Sequence, residues 1–110
     1  MSAADTVQRQ FDAYNAQDIE AFCATYADDC LIARYSGETL QAGKDAIRAR
    51  YAKTFGDYPK NRAWSVNRIV HGDVVIDHEK GERSPGGPVF EAIVIYTVKD
   101  GQIVRVDFIQ

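Results

Sequence analysis

The chain changes its hydrophobic period near the middle, and that change confines it to folds that keep helices and hairpins in separate stretches. From Ala63 onward, apolar and polar residues alternate in period two, as in a sheet with one buried face. Before that point, apolar residues recur at three- and four-residue spacing, the stripe of an amphipathic helix. Val7, Phe11 and Tyr14 mark a first helix, with Asp5 and Gln8 reading as its capping pair. Ile19, Phe22, Cys23 and Tyr26 mark a second, opened by Asp18 as N-cap and ended by Asp28-Asp29. The run CLIARY reads as a strand, and Ser36-Gly37 turns the chain. A third helix carries Ile47, Tyr51 and Phe55 between Gly43 and Gly56.

The second half reads as two hairpins. AWSVNRIV and VVIDHEKGE flank the turn His71-Gly72-Asp73; VFEAIVIYTV and QIVRVDFIQ flank KDG. SPGGP separates the pairs. The expected order is α-α-β-α-β-β-β-β, an α+β domain spanning residues 1–110, with helices on one face of a mainly antiparallel sheet.

Composition narrows the function. At 110 residues and 45% hydrophobic, one domain can build a core without a metal or disulfide. The net charge of −3 comes from interleaved acids and bases, with no basic patch for nucleic acid. No run has the length of a membrane span, and MSAADTVQRQ lacks the apolar core of a signal peptide, so the expected location is cytoplasmic. Cys23 and Cys30 have no partner at ligand spacing and read as buried free thiols. His71 and His78 on one hairpin make no metal site, and no cofactor motif occurs.

The segments DAYNAQDIEAFCATYADDC, GKDAIRARY and VIYTVKDGQIVRVDF resemble the nuclear transport factor 2-like superfamily, in its SnoaL-like and ketosteroid isomerase-like branch. The resemblance covers nearly the whole chain. It implies a cone-shaped, cystatin-like α+β barrel, in which a bent sheet wraps the helices around an apolar pocket. It also implies a homodimer through the convex face of the sheet. Alignment through DIEA and YADD puts Gln10 where the family has its oxyanion tyrosine and Arg34 where it has its carboxylate base. The second oxyanion acid falls on or near Val94, while supporting tyrosines remain at Tyr26 and Tyr51. A guanidinium cannot act as the base, because it stays protonated. Steroid isomerisation by the inherited residues is therefore not expected.

Other ionisable residues supply the candidate site. Asp77 and Glu79 share one face of their strand and His78 takes the other. With Gly72-Asp73 as a two-residue turn, Arg68 lies opposite Asp77. Trp64, Val66, Arg68, Asp77 and Glu79 then share a face suited to a pocket. By the resemblance Arg34 points into the cone, where Asp77 and Glu79 would partner it. These four charged residues are the candidate catalytic group. Tyr14, Tyr26, Tyr51, Trp64, His78, Phe90, Tyr96 and Phe108 are the candidate ligand-binding residues. The resemblance turns Phe90, Ala92, Val94, Tyr96, Val104, Val106 and Phe108 inward. Ile93, Ile95 and Ile103 would then make an outward surface too apolar to leave wet, favouring a dimer.

Two functions fit. One is proton transfer on a small, largely apolar carbonyl compound (isomerisation, cyclisation or dehydration) with a buried Asp77 or Glu79 as base. The other is a non-catalytic dimeric module that binds an apolar ligand or a partner protein.

Overall fold

A computed structural model describes residues 2–110. Three helices, α1 (Ala3–Asn15), α2 (Ile19–Ala24) and α3 (Lys44–Asp57), lie against six strands. The strands are β1 (Tyr26–Arg34), β2 (Thr39–Ala42), β3 (Arg62–His71), β4 (Val74–Glu82), β5 (Val89–Lys99) and β6 (Gln102–Ile109). Their order in the sheet is β2-β1-β6-β5-β4-β3, antiparallel except where β1 runs parallel to β6. This is the expected α+β class. Among the described residues no helix is long and apolar enough to cross a membrane.

The caps differ from expectation by one turn. Ser2, not Asp5, caps α1: its side chain accepts from the Asp5 amide at 3.2 Å, and Asp5 accepts from the Ser2 amide at 3.1 Å. Gln8 bonds to Asp12 instead. The second helix stops at Ala24, where Thr25 turns back onto the Phe22 carbonyl at 2.8 Å, so Tyr26 opens β1. Tyr26 stays buried, because it enters the core from a strand as readily as from a helix face. The β1–β6 register jumps from Tyr26↔Ile103 to Leu31↔Arg105, which loops out the exposed Asp28 and Asp29. The four-residue β2, pairing Leu31 with Ala42, was not expected as a strand at all.

Irregularities also decide which residues face the helices. The β3–β4 register moves from Ser65↔Glu79 to Asn67↔His78, so Val66 is a bulge. In the β5–β6 pair, Thr97↔Arg105 is followed by Val98↔Ile103, which makes Val104 a second bulge. Ile103 is therefore fully buried in the core, and the outward placement expected for it is corrected. Val104, expected to face inward, is only partly buried. Bulges bend the strands that carry them, and α1 packs across β3, β4, β5 and β6 while α3 covers β1 and β2. The core between them centres on Phe22, Tyr26, Ile32, Ile47, Val94 and Val106.

Candidate functional site

The helices do not fill the space over the sheet. A cavity of about 330 Å³ remains, lined from α1 by Gln10, Phe11 and Tyr14 and from α3 by Arg50, Tyr51 and Thr54. The sheet contributes Glu79, Phe90, Ala92, Tyr96 and Phe108, and Arg83 enters from the turn after β4. The wall is more polar than the apolar pocket expected, since Glu79, Arg50 and Arg83 share it with the rings and Arg34 stands at its rim.

Glu79 reaches the cavity because Val75, Asp77, Glu79 and Gly81 alternate on the inward face of β4. The Tyr96 hydroxyl donates to its Oε2 at 2.5 Å. Burial pushes the Glu79 carboxyl up to about 8; the Tyr96 hydrogen bond opposes this, the Asp77 charge adds to it, and Arg68 opposes it. Burial also keeps Tyr96 and Tyr51 protonated well past their ordinary range.

Asp77, two residues before Glu79, is fully buried but does not line the cavity. It accepts from Arg68 Nε at 2.7 Å and Nη2 at 3.1 Å, and from the Ser65 hydroxyl at 3.1 Å. Arg68 also donates to Gln8 at 3.0 Å and lies 5.4 Å from the Phe11 ring centre. Through Gln8 and Phe11, Arg68 ties α1 to the β3–β4 hairpin. Arg68 and Asp77 thus meet as parity predicts, yet of Arg68, Asp77 and Glu79 it is Glu79 that lines this cavity.

Four expected site residues stand apart from the Glu79 cluster. Arg34 is not drawn inward to the acids. Its strand ends there, its side chain is 55% exposed, and it pairs with Glu38 at 3.0 Å on the cavity rim. Trp64 does not share the Glu79 face, because the Val66 bulge reverses parity; it lies opposite Lys80, under the Arg62 guanidinium at 4.8 Å. His78 faces outward, with Nε2 3.1 Å from Glu91. Tyr26 is buried behind the cavity wall, its hydroxyl accepting from Gln10 Nε2 at 3.3 Å. Tyr14, Tyr51, Phe90, Tyr96 and Phe108 do line the cavity.

Sequence reasoning missed Arg83, Asn61 and Arg50. Asn61, 1% exposed, donates to the Tyr14 hydroxyl oxygen at 2.5 Å. Arg83 donates to the same oxygen and to Asn61 Oδ1, both at 3.2 Å, and stacks 4.6 Å from the Phe90 ring centre. Tyr14 thus accepts twice and donates to no protein group among the described residues, so its own O–H is free for a ligand. Arg83 sits beside a Pro/Gly turn, and no local pattern announces where such a residue will reach.

Two chemistries are disfavoured by geometry. Both cysteines are buried, and burial raises Cys23 and pushes Cys30 up to about 12, so neither is a ready thiolate. No three of the His, Cys, Asp and Glu residues described converge as metal ligands.

This architecture, helices in a bent sheet with a polar-floored cavity, is that of a recognised class. The family model for the SnoaL-like domain matches residues 7–106, and the chain belongs to that family. A search of curated proteins finds no match. Among solved structures, an uncharacterized cystatin-fold protein from Novosphingobium aromaticivorans is 29% identical, with a TM-score of 0.90 over 100% of this chain and 99% of that one. A protein of Sinorhizobium meliloti provisionally named a polyketide cyclase is 25% identical, with a TM-score of 0.79 over 99% and 100% of the two chains. A provisionally named ketosteroid isomerase from Kribbella flavida, 18% identical, shares the fold with a TM-score of 0.78 over 96% of this chain and 75% of that one.

Proposed function

We propose that this protein is a proton-transfer enzyme acting next to a carbonyl of a small, ring-containing molecule, with Glu79 as the group that moves the proton. The observation that carries this reading is Glu79 itself: a carboxyl facing a cavity, bonded to Tyr96, with burial holding its affinity for protons near neutrality. A general acid–base works best when its pKa lies near the working pH. The free O–H of Tyr14, polarised by Arg83, supplies a donor for the negative charge that develops on the carbonyl oxygen. The cyclase and isomerase names carried by fold relatives are compatible with this chemistry. By the resemblance, Gln10 and a position on or near Val94 replace a steroid isomerase's oxyanion donors and Arg34 its base, so steroid isomerisation by those residues is not expected.

The test needs no knowledge of the natural substrate. The probe is 2-tetralone in deuterium oxide, with incorporation at its α-carbon followed by proton NMR. The protein should accelerate exchange, with a rate that climbs through about pH 8 as Glu79 loses its proton. Glu79→Gln should return the rate to that of buffer. No acceleration by stoichiometric protein, or an unchanged rate in Glu79→Gln, would reject the assignment.

The proposal includes a homodimer. Ile69, Ile76 and Ile95 form one row across three strands on the sheet face away from the helices, and Ile93 with Ile109 forms the next. Ile69 is 56% exposed and Ile109 43%, an apolar patch of the kind that a second copy covers.

A further inference from the structure

Among the described residues the arginines divide by their partners, and of the three at the cavity only Arg34, on its rim, has a carboxylate. Arg34, Arg48, Arg62, Arg68 and Arg105 each contact a carboxylate. Among the described residues, Arg9, Arg50 and Arg83 contact none, and two of these three line the cavity. Arg83 is half-buried, and everything it touches is uncharged: the Tyr14 hydroxyl, the Asn61 side chain and the faces of Phe90 and Tyr58. Only its Nη1 hydrogen-bonds to the protein; the Nη2 and Nε donors have no protein partner among the described residues. Arg50 reaches the cavity from α3. Both guanidinia lie near the Tyr51 hydroxyl, where they act against the rise that burial imposes on it. Glu79, whose charge also acts at the Tyr51 hydroxyl, forms no ion pair with either guanidinium among the described residues.

A half-buried cation held by neutral groups is costly unless an anion completes it. The planar guanidinium is suited to take a carboxylate on two parallel N–H donors. We propose that the cavity binds a carboxylate-bearing ligand, its acid group held between Arg83 and Arg50 and its ring system packed on Phe90 and Tyr14. This rests on the proton-transfer reading only in placing the ligand's reacting carbon towards Glu79. The substrate class becomes an aromatic or alicyclic keto acid, anchored at the arginine end and deprotonated at the other.

The experiment compares two probes of equal shape, 2-naphthoate and 2-naphthamide, by isothermal titration calorimetry against the whole chain. The wild-type protein should bind the naphthoate about tenfold or more tightly than the amide, as expected for charge-assisted hydrogen bonds. Added salt should narrow the gap. Arg83→Gln should erase the preference, whatever it does to the affinity for the amide. Arg50→Gln, on an exposed helix position, should reduce the preference without touching the Tyr14–Asn61 contacts, and serves if Arg83→Gln misfolds. Glu79→Gln should keep the preference intact, which separates this proposal from the catalytic one. Equal affinities for the two probes would overturn the anionic subsite while leaving the cavity as a ligand site. Binding of neither probe would overturn both the subsite and the use of the cavity for ring compounds.

Discussion

At the scale of single residues, two acids on one strand face have parted roles because of what surrounds them. Asp77 and Glu79 differ by two positions and one methylene. Asp77 meets a bidentate arginine and a serine in a site closed to the cavity. Glu79 meets a tyrosine and open volume. Asp77→Asn keeps the shape of the side chain and removes its charge. The substitution leaves Arg68, 20% exposed, without its counter-charge. Breaking such a pair costs about 3 kcal/mol or more. Urea denaturation should show that loss with an unchanged slope, and a loss below about 0.5 kcal/mol, typical of a surface change, would mean the pair is not part of the fold's support. Arg34 teaches the complementary lesson: an arginine in an apolar run can sit at the strand's end, where its head reaches water.

At the scale of elements, β4 carries the site and Gly81 shapes it. A Cβ at Gly81 would lie 2.2 Å from Phe90 Cζ and 2.8 Å from the Arg62 carbonyl oxygen. The glycine is what lets the Phe90 ring lie across the strand, with Arg83 stacked on it. Gly81→Ala should destabilise the protein by about 1–3 kcal/mol, the range for overpacking, and shift the Phe90 ring resonances in NMR spectra. Unshifted resonances would show that the ring has room to spare. The helices α1 and α3 and both hairpins were legible in the sequence, because a long run at one period leaves little choice of partner face. The turn at Gly72, φ 56, was legible too, and it set Arg68 opposite Asp77. The bulges at Val66 and Val104 were not. Each adds one residue to a strand, which leaves composition unchanged and reverses every parity argument beyond it. Trp64 and Ile103 were misplaced for that reason. Within the site, Glu79 and the lining aromatics could be read from alternation, whereas Arg83, Asn61 and Arg50 reach the cavity through tertiary packing that no local pattern encodes.

At the scale of the whole molecule, one side of the sheet is covered by helices and the other presents isoleucines to solvent. A symmetric dimer would bury Ile69, Ile76, Ile93, Ile95 and Ile109 against their copies. His78, Glu91 and Lys80 would form a charged rim, linked within each chain by contacts of 3.1 and 3.7 Å. Light scattering at micromolar concentration should give twice the chain mass, and Ile95→Glu should give a monomer, since each copy would bury an unpaired charge at the interface. A monomer mass for the unaltered chain would contradict the dimer. The proposed chemistry, however, uses residues of one chain and depends above all on the protonation of one carboxyl. Titration of the Glu79 side-chain carboxyl by carbon-13 NMR, assigned by its absence in Glu79→Gln, measures that directly. The account predicts a midpoint near pH 8, raised by burial in spite of the Tyr96 hydrogen bond. A midpoint near 4.5, the ordinary value for a glutamate, would contradict it.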